Sequence, residues 1–339
     1  MPNNPTKILL STTLIGGILI SISSNSWLGA WMGLEINLMS FIPLMSTQEN
    51  IYTTEASLKY FLVQALASSS LMFFVMMKAL MNQMIVSGSL HSYAIMTPLL
   101  LKMGAAPLHW WFPSVMEGMS WTNCLLMMTV QKTAPMMLIS YSMNTTSMTL
   151  SIILMSVVVG SIGGMNQTSL RKILTYSSIN HTGWMLAAML GGSNMWLMYF
   201  AAYSLLTSTV TFIAKSYNIS FVNQTMMVNK KAETKFTLFM TLLSLGGLPP
   251  FIGFLPKWMV IQLMIMNKLS LIVAVMVVMS LTTLYYYLRM CYSSFLILHE
   301  EPKWNTWTST KTKMILSGLI LSSASMLGLL LCTAVININ

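Results

Sequence analysis

The sequence predicts an all-α, polytopic membrane protein of about eleven transmembrane helices, and three observations predict it. Hydrophobic residues make up 55% of the chain and charged ones only 7%, too few charges to cover a soluble surface. Mean hydropathy is +0.70. Apolar runs long enough to cross a hydrocarbon core of about 30 Å recur along the 339 residues, joined mostly by short connections. That pattern overrides the two soluble domains that length alone suggests and confines any chemistry to the membrane or its surfaces.

The spans follow in order. The first, 7–24, lacks a basic start followed by a small-residue cleavage site, so it reads as a retained helix and not a removable signal peptide. The second, 27–45, is apolar apart from Glu35. The third, 57–80, is entered through Glu55 and Lys59, an i to i+4 surface pair. The fourth, 92–117, is interrupted by glycine and proline, and the fifth, 121–141, carries Lys132. The sixth, 147–166, runs into "GSIGGMNQTSLRK", which resembles a phosphate loop but lacks its GK[ST] core and predicts a tight turn before Arg171 and Lys172. The seventh, 173–191, carries His181. The eighth, 195–216, precedes a polar stretch at 217–235. The ninth, 236–266, is interrupted like the fourth. The tenth, 270–297, precedes a polar stretch at 298–313, and the eleventh is 314–336. Cys124, Cys291 and Cys332 have no metal-like spacing and read as small core residues. His91 and His109 read as structural.

Threading these spans back and forth sorts the basic residues. Lys7, Lys59, Arg171, Lys172, Lys215, Lys230, Lys231, Lys235, Lys303, Lys311 and Lys313 fall on the side of the N-terminus, while the other side has chiefly Lys268, with Lys78 near a helix end. The N-terminal side is therefore the positive side, cytoplasmic or matrix. The net charge of +10 serves topology, and no basic face with interleaved aromatics exists to bind nucleic acid.

Four charges remain deep in the membrane: Glu35, Lys102, Lys132 and Lys257. At about 1.5 Å per residue, each lies roughly 12–16 Å from the nearer end of its span, too far for easy snorkelling. A charge at the bilayer centre costs about 2.5–3.5 kcal/mol even on the lenient insertion scale, so four of them point to function more than to packing. Lysine suits proton handling: burial favours its neutral form and a nearby carboxylate its charged form.

The backbone around two of these lysines supports the same reading. "LLKMGAAPLHWWFP" and "LLSLGGLPPFIGFLPKW" share two leucines, then Gly104 or Gly246, then Pro107 or Pro249, then Pro113 or Pro256, the last interval differing by one residue. Proline removes an amide donor and clashes with the preceding turn, so both segments break near mid-membrane. Paired broken helices suggest an internal repeat and point to a transport pathway.

The strings "SNSWLGAWMGLEINLMSFIP", "TEASLKYFLVQALAS", "LLKMGAAPLHWWFPSVMEG", "QKTAP", "LTYSSINHTGWM" and "LSLGGLPPFIGFLPKW" resemble the subunit 2 family of mitochondrial respiratory complex I, over nearly the whole chain. The resemblance implies an antiporter-like fold of inverted five-helix repeats, here 1–141 and 147–297, followed by the helix 314–336. It implies proton translocation driven by NADH oxidation and quinone reduction elsewhere in the complex. No cofactor is then expected in this chain, with FMN, iron–sulfur clusters and ubiquinone in other subunits. It implies membrane-arm and accessory subunits and lipid as partners, no nucleic acid, and the mitochondrial inner membrane as the location. The N-terminus would face the matrix and the C-terminus the intermembrane space. By the same resemblance Glu35 pairs with Lys102, Lys132 is a central lysine, Lys257 is the lysine of the second broken helix, and His181 lines a water path to the positive side.

In two respects the sequence departs from the pattern. It begins directly with the helix before "SNSWLGAWMG", as in the shortened mitochondrial form that lacks three helices of bacterial relatives. Pro113 is followed by Ser114, where many relatives have glutamate, with Glu117 three positions on. The 36 methionines fit either a mitochondrial genetic code or flexible core packing. Redox chemistry within the chain is not expected, since it has no cysteine cluster and no GxGxxG after a strand. Three function classes stay open on sequence: a proton-translocating module of a respiratory enzyme, a free-standing cation/proton antiporter, and a non-pumping structural membrane subunit.

Overall fold

Serine and threonine hydroxyls inside apolar helices have no water to bond, so they fold back onto the carbonyls one turn earlier. Ser177 donates to the Leu174 carbonyl at 2.8 Å, Ser178 to Thr175 at 2.7 Å and Thr182 to Ile179 at 2.6 Å. Polar residues are therefore carried inside helices whose outer faces are aliphatic, as at Leu62, Leu66 and Leu281, each at least 60% exposed. That inside-out distribution suits a lipid surround.

The computed structural model describes residues 5–46, 50–81, 88–226 and 232–295, together with Ser323. Among them the structure is helical, with one isolated antiparallel bridge between Ser169 and Phe221. The chain divides into two units, Met1–Thr149 and Leu150–Asn339.

The first unit contains α1 (Pro5–Ser23), α2 (Trp27–Met45), α3 (Ile51–Met81), α4 (Gly88–Met103), α5 (Trp111–Gly118), α6 (Trp121–Met128) and α7 (Val130–Ser140). Ser26 starts α2 by accepting the Gly29 N–H at 3.2 Å. α2 packs against α1 and α3, both α4 and α5 pack on α3, and α7 packs on α4. Lys59 and Glu55 form the expected exposed pair, at 2.6 Å.

The second unit holds nearly all of α8 (Ser147–Gly164), then α9 (Leu170–Met189), α10 (Ser193–Tyr217), α11 (Val222–Met226), α12 (Ala232–Gly246), α13 (Phe254–Met266) and α14 (Ser270–Phe295). α9 is its core helix, buried without a gap from Ser177 to Met189, with α10 and α13 packed on it. The turn between α8 and α9 is tied by the Ser169–Phe221 bridge and by Arg289, which donates to the Gln167 carbonyl at 2.9 Å.

Six described helices, α1, α2, α3, α8, α10 and α14, are each long and apolar enough to cross a bilayer. The predicted spans 92–117 and 236–266 are the broken pairs α4–α5 and α12–α13, and 173–191 corresponds to α9. Two boundaries need correction. α3 begins at Ile51 and not near 57, because the Asn50 carbonyl accepts the Thr53 and Thr54 N–H groups and makes that polar turn helical. The span 121–141 is a third interrupted helix, broken at Thr129. Its hydroxyl bonds the Leu125 carbonyl at 2.7 Å, and Pro135 supplies no N–H to the Gln131 carbonyl. The span 314–336, apart from Ser323, and the stretch 298–313, Lys230, Lys231 and Cys332 lie outside the described residues.

Candidate functional site

A helix that stops inside a membrane leaves its last carbonyls without amide donors, so the first question at each break is what replaces them. In the first unit α4 ends on Gly104 with φ +70°, a backbone that glycine adopts at little cost. The Gly104 N–H reaches the Leu101 carbonyl at 3.2 Å and the Ala105 N–H reaches Leu100 at 3.1 Å, the two bonds of a Schellman motif. The Trp111 indole N–H also donates to Leu101, at 3.1 Å, and Gln64 Nε2 donates to the Lys102 carbonyl at 3.3 Å.

The second unit repeats the motif. Gly247 has φ +83°, its N–H reaches Ser244 at 3.0 Å, and the Leu248 N–H reaches Leu243 at 3.4 Å. Gly104 therefore corresponds in conformation to Gly247 and not to Gly246, which corrects the sequence pairing by one residue. With that shift Gly104, Pro107 and Pro113 match Gly247, Pro250 and Pro256 at a constant offset of 143, and the unequal last interval disappears.

The correction also separates the two lysines. Lys102 lies in the last turn of α4, before the break, whereas Lys257 lies in α13, after it. The amine of Lys257 turns back to donate to the Gly246 carbonyl at 2.8 Å and to Leu245 at 3.4 Å, so a lysine amine closes the C-terminus of α12, where the helix dipole favours positive charge. It also lies 5.9 Å from the centre of the Trp184 ring. At the matching position of the first break a neutral amide, Gln64, does this work, and the amine of Lys102 makes no hydrogen bond among the described residues.

Lys102 is 8% exposed, and the half-buried Glu35 acts on it electrostatically. The two form no ion pair, Glu55–Lys59 being the salt bridge found among the described residues. Lys132 is 2% exposed, with its amine 5.2 Å from the centre of the Phe112 ring. In the second unit His181 is buried, its Nδ1 2.9 Å from the Tyr199 hydroxyl and its ring against Tyr203. His109 bonds locally to the Pro107 carbonyl, Glu117 is exposed, and the side chain of His91 is not described.

Sequence reasoning missed four neutral residues. Asn37 of α2 and Gln131 of α7 form a reciprocal amide pair, with Asn37 Nδ2 donating to Gln131 Oε1 at 3.1 Å and Gln131 Nε2 donating to Asn37 Oδ1 at 2.9 Å. The Tyr60 hydroxyl donates to Gln131 Oε1 at 3.4 Å. Together with Gln64, these residues and Lys102 line a small polar cavity. Amides within apolar spans were the available signal. Among the described residues no three His, Cys, Asp or Glu side chains converge as a metal site.

Residues 24–283 match the family model of the NADH:quinone oxidoreductase/Mrp antiporter transmembrane region, and residues 284–336 match that of the NADH dehydrogenase subunit 2 C-terminus. The chain is 48% identical to NADH-ubiquinone oxidoreductase chain 2 of Anopheles gambiae, covering 95% of each chain. It is 44% identical to the chain 2 protein of Locusta migratoria, covering 98% of each. A chain of respiratory complex I from Thermus thermophilus, solved with bound aureothin, has the same fold, with a TM-score of 0.83 and 23% identity over 97% of this chain and 79% of that one.

Proposed function

Because the chain belongs to the NADH-ubiquinone oxidoreductase chain 2 family, we propose that it is a core membrane-arm subunit of respiratory complex I and moves protons through Glu35, Lys102, Lys132 and Lys257. NADH oxidation and ubiquinone reduction in other subunits drive the transfer. FMN, iron–sulfur clusters and ubiquinone belong to those subunits, and none is assigned to this chain. Its partners are the other membrane-arm and accessory subunits and lipid, in the mitochondrial inner membrane. The eleven spans, with 1–141 and 147–297 as inverted five-helix repeats and 314–336 as a last helix, put the N-terminus in the matrix and the C-terminus in the intermembrane space.

One observation carries the proton reading: three lysines are buried beside breaks in otherwise apolar helices, two of the breaks turning through the left-handed glycines Gly104 and Gly247. Lys102 exchanges its proton between a state stabilised by Glu35 and one that passes it toward Lys132. His181, hydrogen-bonded to Tyr199, is a side branch toward the positive side. Moving one charge through 100 mV costs about 2.3 kcal/mol, comparable with one charge-assisted hydrogen bond at about 1.5–3 kcal/mol. Small rearrangements of these contacts are therefore large enough to gate transfer.

A second reading, that a lysine serves only as scaffold, is favoured by one contact, the Lys257 cap on α12. Replacing Lys132, the buried lysine of the interrupted helix α6–α7, separates the two. Lys132→Met should lower the protons moved per NADH oxidised in an assembled complex, and unchanged stoichiometry would leave the scaffold reading. A native gel of mildly solubilised membranes tests assembly: the chain should comigrate with NADH-oxidising activity, whereas migration alone would favour a free-standing antiporter.

A further inference from the structure

The amide pair between Asn37 and Gln131 is out of place as packing. A buried amide must be matched on both ends, so two apolar side chains would join α2 to α7 with fewer conditions. The pair stands where chemistry is assigned. Asn37 lies two residues after Glu35 on α2, Gln131 immediately precedes Lys132 on α7, and the cavity they help line also holds Lys102.

Each amide oxygen already accepts a proton from the opposite amide, and Gln131 Oε1 accepts a second from Tyr60. A carboxamide also does not hand on protons as a hydroxyl or water does, because its N–H donors and its oxygen acceptor sit on different atoms. Closed, the pair offers no transferable proton to a chain that starts at Lys102 and reaches it through the cavity they share. The start of the helix that carries Gln131 is held by fewer backbone bonds than an unbroken helix. α7 follows the interruption at Thr129, and Pro135, which also lines the cavity, withholds the N–H that the Gln131 carbonyl would otherwise accept. The end of α4, by contrast, is fastened by Gln64 at its Lys102 carbonyl.

We propose that Asn37 and Gln131 are positioning residues that form a gate between Lys102 and Lys132. Paired, they insulate the two amines from each other; parted, they admit water that links them. The cavity has room for about one water molecule in the closed arrangement. No bond to carbon changes in the step. A proton leaves the Lys102 ammonium for the linking water, that water releases a different proton toward Lys132, and the sum of charge is unchanged.

This inference rests on proton transfer by the lysines, so the experiment carries its own control. Assembled complex with Gln131→Met, with Lys102→Met, and with the exchanged pair Asn37→Gln plus Gln131→Asn is reconstituted in vesicles. Protons moved per NADH oxidised are then compared with uncoupled NADH–quinone turnover. Gln131→Met should lower the proton yield while uncoupled turnover stays within about twofold of the parent, and the exchanged pair, which restores two reciprocal amides, should recover the yield. A full proton yield in Gln131→Met, in a preparation where Lys102→Met lowers it, overturns the gate alone. A full yield in both overturns the lysine reading on which the gate depends. If Gln131→Met does not assemble, Asn37→Ser parts the same amides from α2 with a smaller side chain and is judged by the same two criteria.

Discussion

Lys257 and Lys102 are both buried amines beside a broken helix, yet they differ in what they hold. Lys257 donates to two carbonyls of α12, and Lys102 donates to none among the described residues. Leaving a buried carbonyl without its donor costs about 1–3 kcal/mol. Lys257→Met should therefore lower the thermal stability of this chain within the purified complex by more than Lys102→Met, while both lower proton yield. Equal stability losses would show that the α12 cap carries no weight. Gly247 is a sharper probe of the same site. A side chain there meets a left-handed backbone, at about 1–2 kcal/mol, and its Cβ would come within 2.9 Å of Lys257 Cδ. Gly247→Ala should reproduce the proton defect of Lys257→Met although the lysine is still present, as measured by proton yield in vesicles.

At the scale of elements, the broken helices are held by side chains from their neighbours. α3 supplies Gln64 to the end of α4, and α5 supplies Trp111. Gln64→Leu keeps the volume but removes the donor for the Lys102 carbonyl. It should speed amide hydrogen exchange across residues 101–105 while leaving the core of α3 protected, and unchanged exchange there would assign the end of α4 to its Schellman bonds alone. How far such features were legible from sequence depended on their signal. Proline and glycine announced the breaks at 104–110 and 247–253, because no other residues disturb a helix so strongly. The interruption at Thr129 left no such mark: a threonine hydroxyl satisfies the local carbonyl, and the proline that contributes to it lies six residues away. The one-residue offset between Gly246 and Gly247 was hidden because adjacent glycines look alike in sequence and differ only in φ.

For the whole molecule, hydropathy and charge were enough to read a helical membrane protein, since both follow from the solvent the chain must face. The amide pair was not legible, because Asn37 and Gln131 lie 94 residues apart and only packing of α2 on α7's side of the unit brings them together. Orientation is open to direct test within the second unit. Thr168, in the turn before α9, and Asn267, after α13, are both exposed. Cysteines at these positions should be labelled by a membrane-impermeant reagent from opposite faces, Thr168→Cys from the matrix and Asn267→Cys from the intermembrane space. Labelling of both from one face would undo the threading of the spans between them.

The amine that closes α12 has a mechanical consequence. The end of α4 is fastened by Gln64 and not by the Lys102 amine, so under the proposed proton transfer Lys102 would act as a reservoir without moving parts. The Lys257 amine, carried by α13, donates to the end of α12, so under the proposed proton transfer a change in its charge would bear on the contact that fastens α12 to α13. Under the proposed proton transfer, a change of charge there would act on the joint between the two halves of the broken helix, where an electrical event can become a displacement of backbone.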